Sequence, residues 1–192
     1  KSSSGQYSNS ALGLQANKEH YKYDKSHLVP FGEFIPWGFH WFVDAMQMPL
    51  GNFHRGPKNQ APFVIEHGTE FISAGIMICY EDVFGDEIAA RQRDASSKHH
   101  LWINLTNLAW FGDSQASEQQ LRLAQLRSME TRIPTLRATN TGITAIINHE
   151  GQIVTQLPEF QQTILKNHVQ AYSGITPYVE WGNMPILLLS MG

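Results

Sequence analysis

The sequence predicts an α/β fold in which buried strands alternate with helices along the chain. A nearly continuous apolar run from Phe71 to Cys79 is typical of a strand that is buried on both faces. Residues 117–132 carry apolar side chains at helical spacing, which predicts a helix. The apolar face of that helix would consist of Leu121, Ala124, Leu126 and Met129.

The other predicted elements surround these two segments. Short strands are expected at residues 11–14, 63–65, 101–105, 143–147 and 153–156, and a further helix at residues 86–96. Gly, Pro and Asn predict a loop at residues 51–61, and Pro134 ends the second helix. Because no internal boundary is marked, residues 1–183 are expected to form one domain.

Composition excludes several classes of protein. The chain has 192 residues, of which 42% are hydrophobic and 16% charged, so it can bury a core and is not a disordered chain. A net charge of -3 without a basic stripe argues against a nucleic-acid partner. With one cysteine the chain cannot form an internal disulfide.

The last residues are apolar. Residues 184–189 read MPILLL, and residues 184–192 are interpreted as the start of a C-terminal transmembrane helix. A short buried terminal strand is the alternative, since no run reaches the roughly 18 apolar residues of a membrane span.

Cys79 is the candidate nucleophile. It closes a buried strand and precedes the polar residues Tyr80, Glu81 and Asp82, which places its thiol at a strand end. Reactive groups collect at strand ends in α/β sheets. The alternative is a small core residue, which is the usual role of a lone cysteine after an apolar run.

Lys25 and Glu33 bracket an apolar turn that contains Pro30 and Gly32. Such a turn can hold two charged groups rigidly, whereas the alternative is a solvated surface loop. A cysteine nucleophile needs a cation or N–H donors for the oxyanion. Lys25 could supply that cation, and Glu33 could orient it.

Two further polar segments follow strands, at residues 104–114 and 137–144. The first could be an active-site loop or a turn packed by Trp110 and Phe111. Together the blocks YDKSHLVPFGEFIP, GIMICYEDVF, NLTNLAWFGDS, RATNTGIT and GITPYVEWGN resemble the nitrilase superfamily and, more narrowly, the apolipoprotein N-acyltransferases. The resemblance covers most of residues 21–183.

The resemblance implies a nitrilase-like αββα sandwich, present only in part, on the periplasmic side of a bacterial inner membrane. It implies Cys79 as nucleophile and Lys25 as catalytic lysine, with Glu33, Glu81 and Tyr80 supporting the site. Cys79 would take an acyl chain from a phospholipid donor and pass it to the α-amine of a diacylglyceryl apolipoprotein acceptor. The resemblance implies no metal and no cofactor.

The chain departs from the family pattern at three places. The general-base Glu of the family lies in an upstream block that these 192 residues do not contain, so the chain alone is expected to be inactive. Leu108 stands where the family often has Asp. Residues 118–120 read Glu-Gln-Gln where a His is common.

Residues 34–50 form an aromatic stretch bounded by Pro36 and Pro49. Trp37, Trp41 and Phe42 are interpreted as membrane- or acyl-facing, because Trp is favoured at the boundary between water and lipid. The alternative is a core segment. Two other functions stay open, a soluble nitrilase-type amidase and a non-catalytic domain that binds lipid or lipoprotein.

Overall fold

The computed structural model describes residues 7–37, 53–94 and 98–191, which belong to two compact units, Lys1–Lys58 and Asn59–Gly192. The junction between the units lies in the polar loop predicted for residues 51–61. The division into two units does not test whether residues 1–183 form one domain, so that expectation stays a prediction.

The N-terminal unit contains an antiparallel hairpin of β1 (Ser10–Gly13) and β2 (Tyr21–Asp24). Ala11 and Tyr23 are paired across the two strands, and both are buried. The predicted strand at residues 11–14 corresponds to β1, shifted by one residue. The second strand leads directly into Lys25.

The C-terminal unit is built on a six-stranded mixed sheet, which confirms the α/β class. Its strands are β3 (Phe63–His67), β4 (Glu70–Ile78), β5 (Leu101–Thr106), β6 (Thr135–Thr139), β7 (Ala145–Ile147) and β8 (Ile153–Gln156), adjacent in that order. β4, β5 and β6 are parallel, and the other neighbours are antiparallel. The carboxyl ends of the three parallel strands therefore meet at one edge of the sheet.

Four α-helices accompany the sheet in the described residues. They are α1 (Gly85–Arg93), α2 (Ala116–Thr131), α3 (Pro177–Trp181) and α4 (Met184–Ser190). The two helices predicted from sequence are confirmed as α1 and α2. The side chain of Thr176 caps α3 by accepting a hydrogen bond from the Val179 N–H at 3.1 Å.

One core lies around β4 and β5. Met77, Ile88, Trp102 and Ile133 form a buried cluster that joins these strands to α1 and to the chain that follows α2. Gly75 is required here, because a Cβ at this position would lie 2.2 Å from the Trp102 ring. The predicted burial of β4 is confirmed for residues 74–78, whereas Phe71 at the start of the run is 64% exposed.

The buried face of α2 differs from the predicted one. Leu121 and Ala124 are buried, but Leu126 and Met129 are 40% and 46% exposed. The buried positions include the polar residues Ser117, Gln120, Arg127, Ser128 and Thr131. Apolar spacing alone misplaced this face, because the helix turns polar side chains inward, where Ser128 and Thr131 form hydrogen bonds with Thr135 and Trp102.

The C-terminal helix α4 is exposed throughout. Among residues 7–37, 53–94 and 98–191, no helix combines the length and apolar character needed to cross a membrane. The transmembrane interpretation of residues 184–192 stays a prediction.

Candidate active site

The backbone of Lys25 is held from both sides within the N-terminal unit. Its N–H donates to the Asn9 carbonyl at 2.8 Å, and its carbonyl accepts from the Gly56 N–H at 2.9 Å. The approach of Gly56 is so close that a Cβ there would lie 2.2 Å from the Asp24 carbonyl oxygen. Only glycine fits this position. The close packing of Gly56 against Asp24 fixes the backbone position of Lys25.

The Lys25 side chain is 1% exposed and ion-paired with Glu33. Its Nζ lies 2.8 Å from Glu33 Oε2 and 3.0 Å from Oε1. The same carboxylate accepts from the Val29 N–H at 2.8 Å and from the Asn9 carboxamide at 2.7 Å. The turn therefore brings the two charged groups together, as the sequence suggested, and four hydrogen bonds fix the carboxylate that orients the ammonium group.

Cys79 follows β4 directly and begins a short 3-10 helix, Cys79–Val83. Its φ of 57° lies in the left-handed region, which is unusual for a residue with a side chain and costs of order 1–3 kcal/mol. The residue is half-buried. The predicted position of the thiol at a strand end is confirmed.

Tyr80 and Glu81 shape the turn that carries Cys79. The Glu81 carboxylate is buried and accepts from the Ile78 N–H at 2.7 Å, so it closes the turn on its N-terminal side. The Tyr80 ring is half-buried and packs edge-on against Phe84, with centroids 5.7 Å apart. Both residues lie next to Cys79, where the sequence placed them.

A buried polar cluster behind Cys79 was not predicted. The Arg137 guanidinium lies 3.5 Å from Asp82 Oδ2, and both side chains are fully buried. Arg137 also donates to Asn104 Oδ1 at 3.2 Å and to Gln120 Oε1 at 3.0 Å. Asn104 in turn donates to the Cys79 carbonyl at 3.1 Å and to Asp82 at 3.3 Å.

Strand register explains why this cluster forms. Asn104 of β5 is paired with Arg137 of β6, and residues directly opposite in neighbouring strands point to the same face of the sheet. A polar residue inside a buried apolar strand was the signal that could have revealed it, because such residues are rarely buried without partners. Asn104 is such a residue in the strand sequence LWINLT, and Arg137 is one in TLRAT.

Burial dominates the electrostatics of the cluster. It raises the pKa of Asp82 to about 7, against the opposing effect of the Arg137 cation. Burial also lowers the pKa of Arg137, and the neighbouring Asp82 carboxylate opposes that shift. The cluster therefore combines a costly desolvation with an ion pair that offsets part of it.

The loop after β5 is held by hydrogen bonds. Asn140 accepts from the Leu108 N–H at 2.9 Å and donates to Asn107 at 2.7 Å, which joins two of the sequence blocks. Trp110 is 83% exposed and Phe111 is also exposed, so the alternative of a turn packed by these two rings is not what the structure has.

The aromatic residues assigned to lipid contact are only partly described. Trp37 is 96% exposed, whereas Trp41 and Phe42 lie outside the described residues. Within the described part of the chain, no group of three or more His, Cys, Asp or Glu side chains is arranged to hold a metal ion.

Comparison with known proteins places the chain among enzymes that use a related fold. A model of the carbon-nitrogen hydrolase family matches residues 1–178. An apolipoprotein N-acyltransferase from Ralstonia nicotianae is 48% identical over 182 residues, and one from Nitrosomonas europaea is 41% identical over 190 residues. These alignments cover 94% and 98% of the chain but only 34% and 36% of the relatives, so the chain spans about a third of their length.

Solved structures support the same fold. A carbon-nitrogen hydrolase superfamily protein from Xanthomonas campestris, with an arsenic adduct in its active site, matches with a TM-score of 0.56 at 16% identity. That match covers 96% of this chain and 63% of the other. The C. elegans NitFhit protein matches with a TM-score of 0.53 at 17% identity, over 80% of this chain and 36% of the other. With a family model matching 178 of its 192 residues, the chain belongs to the carbon-nitrogen hydrolase family.

Proposed function

We propose that the chain is the catalytic part of an apolipoprotein N-acyltransferase that moves an acyl chain through a thioester on Cys79. The acyl donor is a phospholipid, and the acceptor is the α-amine of the diacylglyceryl-cysteine of an apolipoprotein. The observation that carries this proposal is the 48% identity over 182 residues to a relative of that name. The solved carbon-nitrogen hydrolases, at 16% and 17% identity, support the fold and do not favour an amidase.

The first half-reaction acylates the enzyme. The Cys79 thiolate attacks the ester carbonyl of the phospholipid, a C–S bond forms, and the ester C–O bond breaks. The departing alkoxide takes a proton and leaves as a lysophospholipid. Lys25 supplies the cation that stabilises the oxyanion of the tetrahedral intermediate, and Glu33 holds Lys25 in place. A carboxylate general base takes the thiol proton.

The second half-reaction transfers the chain. The free α-amine of the apolipoprotein attacks the thioester carbonyl, an amide C–N bond forms, and the C–S bond breaks. The proton lost by the amine returns to the thiolate. Glu81 and Tyr80 support the site by shaping the turn on which Cys79 lies. The reaction needs no metal and no cofactor, because the nucleophile, the cation and the base are all side chains.

The proposal also covers where the domain lies and which side chains contact lipid. The catalytic domain lies on the periplasmic side of the bacterial inner membrane, where both substrates are anchored. Trp37, Trp41 and Phe42 face the membrane or the acyl chain. The 96% exposure of Trp37 supports this role, since an indole at the lipid boundary keeps its ring apolar and its N–H hydrated.

Acyl-enzyme formation tests the function directly. Incubating the full-length protein with phospholipid should add the mass of one acyl chain to the peptide that contains Cys79, and neutral hydroxylamine should remove it. Cys79→Ser is the matched control and should accumulate no thioester. An acyl group on any other residue would sink the assignment of the nucleophile.

Replacing Lys25 with Met should slow acyl transfer by roughly 10²-fold or more, because a fixed cation at a developing oxyanion is worth a few kcal/mol of barrier. Lys25→Met should also lower the unfolding midpoint, since it leaves the Glu33 carboxylate without its buried partner. Transfer rates per folded molecule and thermal unfolding separate the two effects.

Lys22→Met provides the control for Lys25. Lys22 pairs with Asp24 at 2.8 Å on the same hairpin, but its side chain is half exposed. Exposed pairs contribute about 0–1 kcal/mol, so this variant should keep both stability and transfer. If Lys25→Met lost stability alone, with its folded fraction fully active, Lys25 would be a structural residue.

A further inference from the structure

We infer that Asn104 is the positioning residue for the nucleophile: its carboxamide holds the Cys79 carbonyl and with it the left-handed backbone that sets the place of the thiol. The inference rests on the proposed role of Cys79 as the nucleophile. It adds to the site a residue that touches neither the thiol nor the acyl chain and acts through the backbone of Cys79.

Every hydrogen-bond donor and acceptor position of the Asn104 carboxamide has a partner. Its Nδ2 donates to the Cys79 carbonyl at 3.1 Å and to Asp82 Oδ2 at 3.3 Å. Its Oδ1 accepts from Arg137 Nη1 at 3.2 Å and from the Thr106 hydroxyl. A carboxamide offers two donors and two acceptor lone pairs, so all four are satisfied and the side chain has one favourable orientation.

The backbone at Cys79 needs such an anchor. A φ of 57° is unfavourable for a residue with a Cβ and persists only where the surroundings hold it. Two contacts flank the residue: Glu81 binds the N–H of Ile78, and Asn104 binds the carbonyl of Cys79. Without the second contact Cys79 can rotate about its N–Cα bond toward an ordinary negative φ, which moves its carbonyl and its thiol together.

The anchor itself is rigid. Asn104 is completely buried in β5 and lies opposite Met77 of β4, two residues before Cys79. The Arg137 side chain that fixes its oxygen comes from β6 and is held in turn by Gln120 of α2. Two parallel strands and a helix therefore determine the position of one carbonyl group.

Two variants of the full-length protein test the inference. Asn104→Asp keeps the acceptor that faces Arg137 and Thr106 but removes both donations, and Asn104→Leu removes all four bonds without adding charge. Both should lower kcat for acyl transfer by about 10- to 100-fold with KM within about twofold of the parent, because small misplacements of a reacting group have effects of this size. Agreement between the two variants attributes the loss to the missing donation.

Thr135→Val is the matched control for lost stability. It removes a buried hydroxyl pair, Ser128 Oγ to Thr135 Oγ1 at 2.7 Å, which does not contact Cys79. It should lower the unfolding midpoint and leave kcat unchanged. If both Asn104 variants also kept the kcat of the parent once folded, Asn104 would be structural and the inference would be overturned.

A measurement that uses no lipid substrate tests the role of Asn104 separately from the proposed function. Alkylation of Cys79 by iodoacetamide, followed by mass spectrometry below the unfolding transition, should slow by roughly fivefold or more in both Asn104 variants, because the reactivity of a thiol depends on its placement. It should be unchanged in Thr135→Val. A parent that alkylates but never transfers acyl chains refutes the proposed function alone, and equal alkylation rates in parent and variants refute the inference alone.

Discussion

Replacing Cys79 with alanine is expected to lower the rate of acyl transfer by roughly 10³-fold or more, because the covalent route is lost with its nucleophile. The chain has a single cysteine in 192 residues, so no second thiol within it can take over. Transfer of a labelled acyl chain from phospholipid to a diacylglyceryl peptide, measured on the full-length protein in detergent, gives the rate.

The same replacement should leave the fold intact. Cys79 is half-buried, and alanine carries the same Cβ at a φ of 57°, so backbone strain is unchanged. The free energy of unfolding should change by about 1 kcal/mol or less. Transfer above a few per cent of the parent rate in the folded Cys79→Ala protein would show that the nucleophile lies elsewhere.

Replacing Arg137 with methionine is expected to destabilise the protein by up to about 3–5 kcal/mol above neutral pH, because it removes the cation that is paired with the fully buried Asp82 carboxylate. Denaturant unfolding should show a lower midpoint at an unchanged m-value. Arg122→Met is the control, since Arg122 is exposed and lies 4.0 Å from Glu118, and it should cost about 0.5 kcal/mol or less.

The loss in Arg137→Met should depend on pH in a defined direction. Burial already raises the pKa of Asp82 to about 7, and removing the cation that opposes this shift raises it further. Above the ordinary carboxyl pKa of 3.8 the folded state then binds more protons than the unfolded state, so stability falls as pH rises. The parent shares this dependence up to its own Asp82 pKa of about 7. The deficit of the variant should therefore stay roughly constant between about pH 4 and 7 and grow as the pH rises above 7.

A double variant separates the buried charge from packing. Asp82→Asn combined with Arg137→Met removes both charges and should recover part of the stability that Arg137→Met loses. Equal stability of the single and double variants across the pH range would mean that the carboxylate is not the source of the loss.

Elements with strong local patterns could be predicted from the sequence. The apolar run of β4 and the periodicity of α2 each depend on one segment of chain, and both elements are confirmed. The pairing of Lys25 with Glu33 was also accessible, because one short turn connects them.

The buried polar cluster could not be predicted in the same way. Asn104 and Arg137 meet because β5 and β6 are adjacent and aligned so that these two residues lie opposite each other. That register depends on contacts between segments 33 residues apart, which no local pattern records. For the same reason the sequence predicted an apolar buried face for α2, where Gln120 in fact turns inward to bind Arg137.

Lys25 lies where three segments of the N-terminal unit meet through backbone hydrogen bonds. The backbone leaves β2 through Lys25 and returns at Gly56, and the Phe53 N–H also binds the Glu33 carbonyl at 3.0 Å. Residues far apart in the sequence, Asn9 on one side and Gly56 on the other, therefore set the backbone position of Lys25. A substitution that shifts either of them would displace the ammonium group without touching it.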